Sequence, residues 1–234
     1  MSSFEEASRV NAAGQAYKGS QKHIQAYVNE HEALLSGMVL EKLQSSPGIG
    51  AGLTWVSPLK CETYKEYSDQ EFLYKLDLGM HAGALKEFWP KGGPSWDALA
   101  KVTGPRTSGV VLVEAKSHVA ELASSCGAAD PASRARIEAS LACTKRRLGV
   151  APEYDWMGSF YQSANRYAHL LFLRDLGVQA WLVNIYFVND HPMNGPATKQ
   201  DWENALSDVK RQMGLSGKSV PYATDLFIEL NPHE

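Results

Sequence analysis

The decapeptide GVVLVEAKSH, from Gly109 to His118, begins as an apolar run and ends with a carboxylate and an ammonium group. Side chains alternate between the two faces of a β-strand with a period of two residues. Glu114 and Lys116 therefore share one face near the end of a strand predicted over 110–117. An otherwise apolar strand with two charges on one face indicates a polar site at that end of the sheet.

A second acidic side chain is expected opposite Glu114. The segment SWDALAKV (95–102) alternates and predicts the preceding strand. If Val102 pairs with Gly109, the same antiparallel register places Asp97 across from Glu114. Directly opposed carboxylates repel each other, and a hard divalent cation such as Mg²⁺ or Mn²⁺ offsets this repulsion because it prefers oxygen ligands. The register therefore predicts a metal site between the two carboxylates.

Two carboxylates, a divalent cation and a lysine form a set of groups that can promote hydrolysis of a phosphodiester. The cation screens the phosphate and lowers the pKa of a bound water. A lysine beside it stabilises the charge that develops during attack, or orients the nucleophile. These residue types predict a metal-dependent hydrolase with Asp97, Glu114 and Lys116 as its catalytic residues.

The arrangement resembles the PD-(D/E)XK nuclease superfamily. The matching residues are Asp97 in PSWDALAKV and Glu114-Ala115-Lys116 in VVLVEAKSH, although the motif's proline stands at Pro94 and not directly before Asp97. The resemblance implies a restriction-endonuclease-like core, in which a helix and a three-stranded meander are followed by a helix and a further strand. It also implies that the carboxylates of Asp97 and Glu114 and the carbonyl of Ala115 bind the metal.

Hydrophobic periodicity and turn residues predict a single α/β domain over 1–234, with a central mixed β-sheet flanked by helices. Helices are predicted at 20–44, 69–84, 131–149 (after an N-cap at Asp130), 157–176 and from Thr198 to Gly214. Strands are predicted at 85–89, 95–102, 110–117, 179–189 and 222–230, with a further short strand within 53–61. The first three of these strands would form the meander of the superfamily core.

Three more polar side chains are candidates for contacts with substrate. His118 continues the face of the two charges on its strand. Gln162 and Arg166 lie four residues apart on the predicted helix 157–176, so they share one stripe of it. The resemblance adds that a glutamine on this helix can lie near the metal. The alternatives are a polar strand end for His118 and a solvated helix face for the other two.

Two further acidic patterns bear on the motif. Asp208-Val209-Lys210 has the same spacing, but it lies in a predicted helix, where residues i and i+2 do not share a face. The superfamily often takes an additional acidic residue from its first helix. The candidates are Glu30, Glu32, Glu41 and Glu71, and the sequence does not choose among them.

Composition narrows the class of protein. The 234 residues carry a net charge of -3, with 44% hydrophobic and 21% charged residues, so any anionic ligand must meet a local basic patch. Cys61, Cys126 and Cys143 form no CxxC pair, which favours a reducing compartment. The amino-terminal stretch lacks the apolar run of a signal peptide, and no segment is apolar over a membrane-spanning length. A cytoplasmic protein without a membrane partner is therefore expected.

The leading interpretation is a nuclease-like enzyme that uses Mg²⁺ or Mn²⁺ and acts on phosphodiesters, with DNA as the expected nucleic-acid partner. One alternative is a non-catalytic binding or interaction module of the same fold, which the acidic net charge favours. Another is a metal-dependent hydrolase of a small phosphate ester. The choice between DNA and RNA, and the formation of a homodimer, stay open at this point.

Overall fold

A five-stranded mixed β-sheet forms the centre of the computed structural model, which describes residues 9–43, 52–104 and 108–230. The strands lie side by side in chain order: β1 (Gly52–Ser57), β2 (Ala98–Thr103), β3 (Gly109–Lys116), β4 (Ala180–Val188) and β5 (Ala223–Glu229). β1, β2 and β3 pair antiparallel, whereas β3, β4 and β5 pair parallel. Parallel neighbours need crossover connections, and helices supply them between β3 and β4 and between β4 and β5.

Seven α-helices of the described residues flank the sheet. They are α1 (Gly19–Asn29), α2 (Glu32–Leu43), α3 (Asp69–Lys75), α4 (Ala82–Phe88), α5 (Pro131–Arg147), α6 (Tyr161–Asp175) and α7 (Lys199–Gln212). One hydrophobic cluster joins α1 and α2 to one face of the sheet. A second cluster joins the other five helices, α3, α4, α5, α6 and α7, to the opposite face. No helix in the described ranges combines the length and apolar character that crossing a membrane requires.

Alternation along β3 assigns its side chains to these two layers. Val111 and Val113 pack in the cluster with α1 and α2, and Val110 and Leu112 pack in the cluster with α6. Glu114 continues the second series, because it lies two residues after Leu112. The alternation therefore directs the carboxylate of Glu114 toward the layer that contains α6.

The predicted register of the β2–β3 hairpin is confirmed. Val102 pairs with Gly109, and the ladder continues to the pair of Ala98 with Val113. β2 thus begins one residue after Asp97 instead of at residue 95. Residues two apart share a face of a regular strand, but Trp96 and Ala98 pack in opposite clusters, because the backbone before β2 is no longer a regular strand.

The predicted strand 85–89 is wrong, since these residues belong to α4 and the residue after it. Ala82, Leu85 and Trp89 are all buried and follow the helical spacing i, i+3 and i+7. The first antiparallel strand is instead β1, which begins one residue before the stretch 53–61 in which a short strand was predicted. β1 pairs with β2 through Trp55 and Ala100, among other residues.

Two long helices of the prediction are each divided. The helix predicted at 20–44 consists of α1 and α2, separated at residues 30 and 31, and residue 44 lies outside the described ranges. The helix predicted at 69–84 is divided into α3 and the beginning of α4. α3 does not continue because Asp77 adopts a φ of 59° and redirects the chain. Gly79 then passes close to the ring of Tyr74. A Cβ at this position would lie 2.7 Å from the ring, so a residue with a side chain would displace it.

The carboxyl-terminal half agrees with prediction to within a few residues. α5 begins where Asp130 caps it, with the Ser133 backbone N–H donating to Asp130 Oδ2 at 2.7 Å. α6 starts four residues after the predicted position, whereas β4, α7 and β5 lie close to theirs. All nine residues of β4 are buried, as expected for a central parallel strand.

Candidate active site

The residues of the predicted motif meet where the β2–β3 hairpin leaves its regular pairing. Asp97 Oδ2 accepts a hydrogen bond of 2.6 Å from the backbone N–H of Ala115. Lys116 Nζ donates to Glu114 Oε1, so the two charges on the shared face of β3 contact each other. The structure therefore brings Asp97, Glu114, Ala115 and Lys116 into one site. Asp97 was predicted as a strand residue paired with Glu114, but the β2–β3 ladder ends at Ala98 and Val113, and Asp97 reaches the site from the residue before β2.

Arg166 holds the second oxygen of Glu114. The Arg166 Nε–H donates to Glu114 Oε2 at 2.5 Å, and both side chains are buried, with exposed fractions of 4% and 7%. The Arg166 guanidinium also donates to Asn165 Oδ1 at 2.8 Å and to the Ser95 carbonyl at 2.7 Å, and it lies 5.0 Å from the ring of Trp96. With a hydrogen bond from each of its three guanidinium nitrogens, Arg166 fixes the position of Glu114.

A third carboxylate, Glu66, completes the site from a loop that the sequence interpretation passed over. Tyr67 and Trp96 form an isolated antiparallel bridge, with the Trp96 N–H donating to the Tyr67 carbonyl at 3.1 Å. The register of that bridge places Glu66 opposite Asp97. Glu66 also accepts a hydrogen bond of 3.1 Å from Gln21 Nε2 of α1. The four helical glutamates considered as a further acidic residue are all exposed: Glu30, Glu32, Glu41 and Glu71.

The three carboxylates differ in how readily they ionise. Burial raises the pKa of Asp97 well above its usual range, and the charges of Glu114 and Glu66 raise it further, against the opposing charge of Lys116. Burial and the Glu114 charge also raise the pKa of Glu66, although the hydrogen bond from Gln21 lowers it. Burial opposes ionisation of Glu114 as well, but Arg166 and Lys116 outweigh it and leave the pKa of Glu114 lowered.

Asp97 and Glu66 open onto a pocket of about 810 Å³. Its lining includes the polar and aromatic side chains of Arg9, Tyr17, Lys18, His118 and Glu121. His118 therefore lies beside the carboxylates, with its Nε2 3.6 Å from Glu121 Oε1. Arg9 and Lys18 supply positive charge at the wall of an otherwise acidic site. The pocket is the place where a substrate could reach Asp97.

Gln162, a predicted contact with substrate, lies at the start of α6, one turn before Arg166. Its backbone N–H donates to Ser124 Oγ at 2.8 Å, and no hydrogen bond among the described residues joins its side chain to the carboxylates. Arg166 was predicted to line the cleft, but it is buried behind Glu114. A direct contact of either residue with substrate stays a prediction.

The donor chemistry of the site fits a hard divalent cation, because carboxylate oxygens predominate. The raised pKa values of Asp97 and Glu66 oppose this fit, since a carboxyl must lose its proton before it can bind the cation. Within the described residues, no group of three or more His, Cys, Asp or Glu side chains is arranged as a ready ligand set. Both oxygens of Glu114 already accept hydrogen bonds, from Lys116 and from Arg166. A cation at Glu114 would therefore compete with Lys116 for one oxygen.

Similarity to known proteins does not assign a chemistry to this site. Comparisons of the chain with protein-family models, with curated proteins and with solved structures find no match. The function has to follow from the three carboxylates and the lysine, and from the pocket onto which Asp97 and Glu66 open.

We expect Arg166→Met to lower the free energy of unfolding by about 3–5 kcal/mol, because it removes a partner from the buried charge of Glu114. The matched control is Arg134→Met. Its partner Glu138 forms a surface pair in which the two side chains are 47% and 52% exposed, so the expected loss is about 1 kcal/mol or less. Urea denaturation at pH 7 measures both variants. Equal losses for the two would contradict the assigned role of Arg166.

Asp97→Asn should stabilise the metal-free protein at neutral pH. A carboxyl whose pKa is raised on folding favours the folded state below its unfolded pKa, and this stability is lost as pH rises through the folded pKa. The asparagine removes that loss and can still accept the Ala115 N–H. The gain should be near zero at about pH 3.5, where the carboxyl is protonated in both states, and should grow as the pH rises to 8.

Urea denaturation at several pH values, with EDTA present, tests this dependence. Asp208→Asn is the control, because Asp208 is a surface residue of α7 whose side chain is 67% exposed. Its effect should stay flat over the same range. A destabilising Asp97→Asn, or a gain that falls as pH rises, would contradict the assigned electrostatics.

Proposed function

We propose that the protein is a metal-dependent, nuclease-like hydrolase of phosphodiester bonds, with DNA as the expected substrate. The observation that carries this proposal is the convergence of Asp97, Glu114 and Lys116 at the end of the β2–β3 hairpin, where Asp97 lines a pocket that a substrate can enter. Two carboxylates at one end of a sheet repel each other and destabilise it. Their retention there favours a functional role for the site.

The order of elements supports a restriction-endonuclease-like core. Helices α1 and α2 precede the antiparallel strands β1, β2 and β3, and α5 and α6 then lead to the parallel strand β4. Within this order, α3 and α4 form an additional segment between β1 and β2. That segment carries Glu66 to the site, so the insertion contributes to the chemistry and not only to packing.

The protein groups divide the work of hydrolysis. A divalent cation held by Asp97, Glu114 and the Ala115 carbonyl would supply charge screening and a more acidic bound water. Glu66 has a raised pKa and can accept a proton from the attacking water. Lys116 stabilises negative charge on the phosphate in the transition state. Arg166 acts through Glu114, which it holds in one orientation.

The pocket wall supports an anionic substrate with a base or sugar attached. Arg9, Lys18 and His118 line it beside the acids, and Arg9 and Lys18 offer local positive charge to phosphate oxygens. Tyr17, 61% exposed, presents a ring on which a base can stack. A protein with a net charge of -3 can bind an anionic ligand only at a local basic patch, and these residues form such a patch.

We expect the wild-type protein to cleave plasmid or oligonucleotide DNA in the presence of Mg²⁺ or Mn²⁺. Glu114→Gln and Lys116→Ala should each reduce the rate by about 100-fold or more, because each removes a charge that acts on the reacting phosphate. Gel-based cleavage and a fluorogenic oligonucleotide measure the rates. Asp208→Asn, within the helical motif of the same spacing, should retain the wild-type rate.

Activity that is equal in wild type and both site variants would reject these roles. The same would follow if the wild type were inactive on DNA, RNA and nucleotides with either metal. A panel of single-stranded DNA, duplex DNA, RNA and small phosphate esters identifies the preferred substrate. Activity on the small esters alone would favour a hydrolase of small molecules.

A non-catalytic module of the same fold is the second candidate. The observation that favours it is that Glu114 already has two cationic partners, Lys116 and Arg166. In the enzyme, Mn²⁺ should raise the thermal unfolding midpoint of wild type, because a ligand that binds only the folded state stabilises it. The midpoint of Glu114→Gln should not rise. If Mn²⁺ leaves the unfolding midpoints of wild type and of Glu114→Gln unchanged, the result would support the non-catalytic module.

A further inference from the structure

A second pocket, of about 520 Å³, shares no lining residue with the pocket of Asp97. The beginning of α3, the end of α4 and the loop that follows α4 form its walls, and His169 of α6 forms part of its lining. Leu85, Trp89 and Pro90 supply apolar surface. This size and lining are typical of sites that bind small molecules.

His169 presents a hydrogen-bond acceptor to this pocket. Its Nδ1 lies 2.8 Å from the Asn165 backbone carbonyl, which can only accept, so Nδ1 carries the ring proton. Nε2 of the neutral ring is then an acceptor, and no described residue donates to it. The side chain is buried, with the residue 1% exposed. Burial lowers the pKa of His169 to about 3, so the ring stays neutral at physiological pH.

Aromatic rings hold this histidine in place. Trp89 and Phe88 meet it edge-on, with ring centroids 4.8 and 5.4 Å away. Trp89 Nε1 is itself buried without a hydrogen-bond partner among the described residues. His169 thus brings an acceptor with no protein donor to an otherwise apolar pocket, which points to a ligand that supplies the donor.

Gly93 leaves the space in front of the acceptor open. A Cβ at this position would lie 3.6 Å from His169 Nε2 and 3.5 Å from Trp89 Cδ1, the atom bonded to the unpartnered Nε1. The backbone at Gly93 does not have a positive φ, so conformation does not demand glycine there. The absence of a side chain therefore leaves room for a ligand in front of His169 Nε2.

The charges around the pocket balance. Lys86 and Lys91 lie around the pocket with Asp69 and Glu71, so the formal charges of its lining sum to zero, although Glu71 itself pairs with Lys65 at 3.0 Å. The carboxylate of Asp69 is also occupied by the backbone N–H of Gly93, at 2.8 Å. A balanced rim over an apolar interior disfavours an ionic ligand, because a charged group would lose hydration without gaining a partner.

We propose that this pocket binds a neutral, planar aromatic or heteroaromatic molecule that donates an N–H or O–H hydrogen bond to His169 Nε2. The rings of Trp89 and His169 and the side chain of Leu85 supply its apolar contacts. The site is independent of the phosphodiester hydrolysis proposed above, because it uses none of the same residues. Either proposal can fail without the other.

Indole and 1-methylindole are the probes for this site, since they have nearly the same ring but only indole can donate. Calorimetric titration of the full chain should give saturable one-to-one binding of indole, and about tenfold or more weaker binding of 1-methylindole. His169→Phe keeps an aromatic ring and removes the acceptor. In that variant the two probes should bind with equal affinity.

Gly93→Ala places a methyl group in front of Nε2 and should weaken both probes by about tenfold. The control is Gly83→Ala, in which the added Cβ of α4 has nothing within 4 Å, and binding should not change. Equal affinity of the two probes for wild type, binding that Gly93→Ala leaves intact, or no binding of either probe would each overturn the proposal. Thermal unfolding of every variant confirms that it is folded.

Discussion

The buried carboxylate of Glu114 is the constraint on which the site depends. An ionised carboxylate can remain in a protein interior only if charge and hydrogen bonds compensate it. Lys116 and Arg166 provide this compensation, one on each oxygen. Arg166 in turn requires α6 to pack with this side of the helix toward β3, and it requires the carbonyl of Ser95 to face it. One ion pair thereby ties the sheet, a helix and the approach to β2 together.

Residues of β3 made the central part of the site predictable. The apolar run from Val110 to Val113 identified a core strand, and strict alternation placed Glu114 and Lys116 on one face of it. The register of a short hairpin then placed Asp97 beside them. These inferences succeed because each depends on local geometry that a strand imposes wherever it occurs.

The elements that were mispredicted depend on contacts between distant parts of the chain. α4 and a short strand have similar patterns over five residues, and only the burial of Ala82 and Trp89 together distinguishes them. Glu66 lies in a loop, and it reaches Asp97 through a bridge between Tyr67 and Trp96 that no local pattern encodes. The helical spacing identified Arg166 as a candidate site residue, but its burial against Glu114 follows from how α6 packs on the sheet.

The contact between Gln21 and Glu66 crosses from one layer of the protein to the other. Gln21 belongs to α1, which packs on the sheet face opposite α6, whereas Glu66 lies in the segment that carries α3 and α4. The amide of Gln21 favours the charged form of Glu66. The pKa of Glu66 consequently depends on the position of α1. If α1 moved away from the site, the hydrogen bond from Gln21 would be lost, the pKa of Glu66 would rise, and Glu66 would become a stronger proton acceptor.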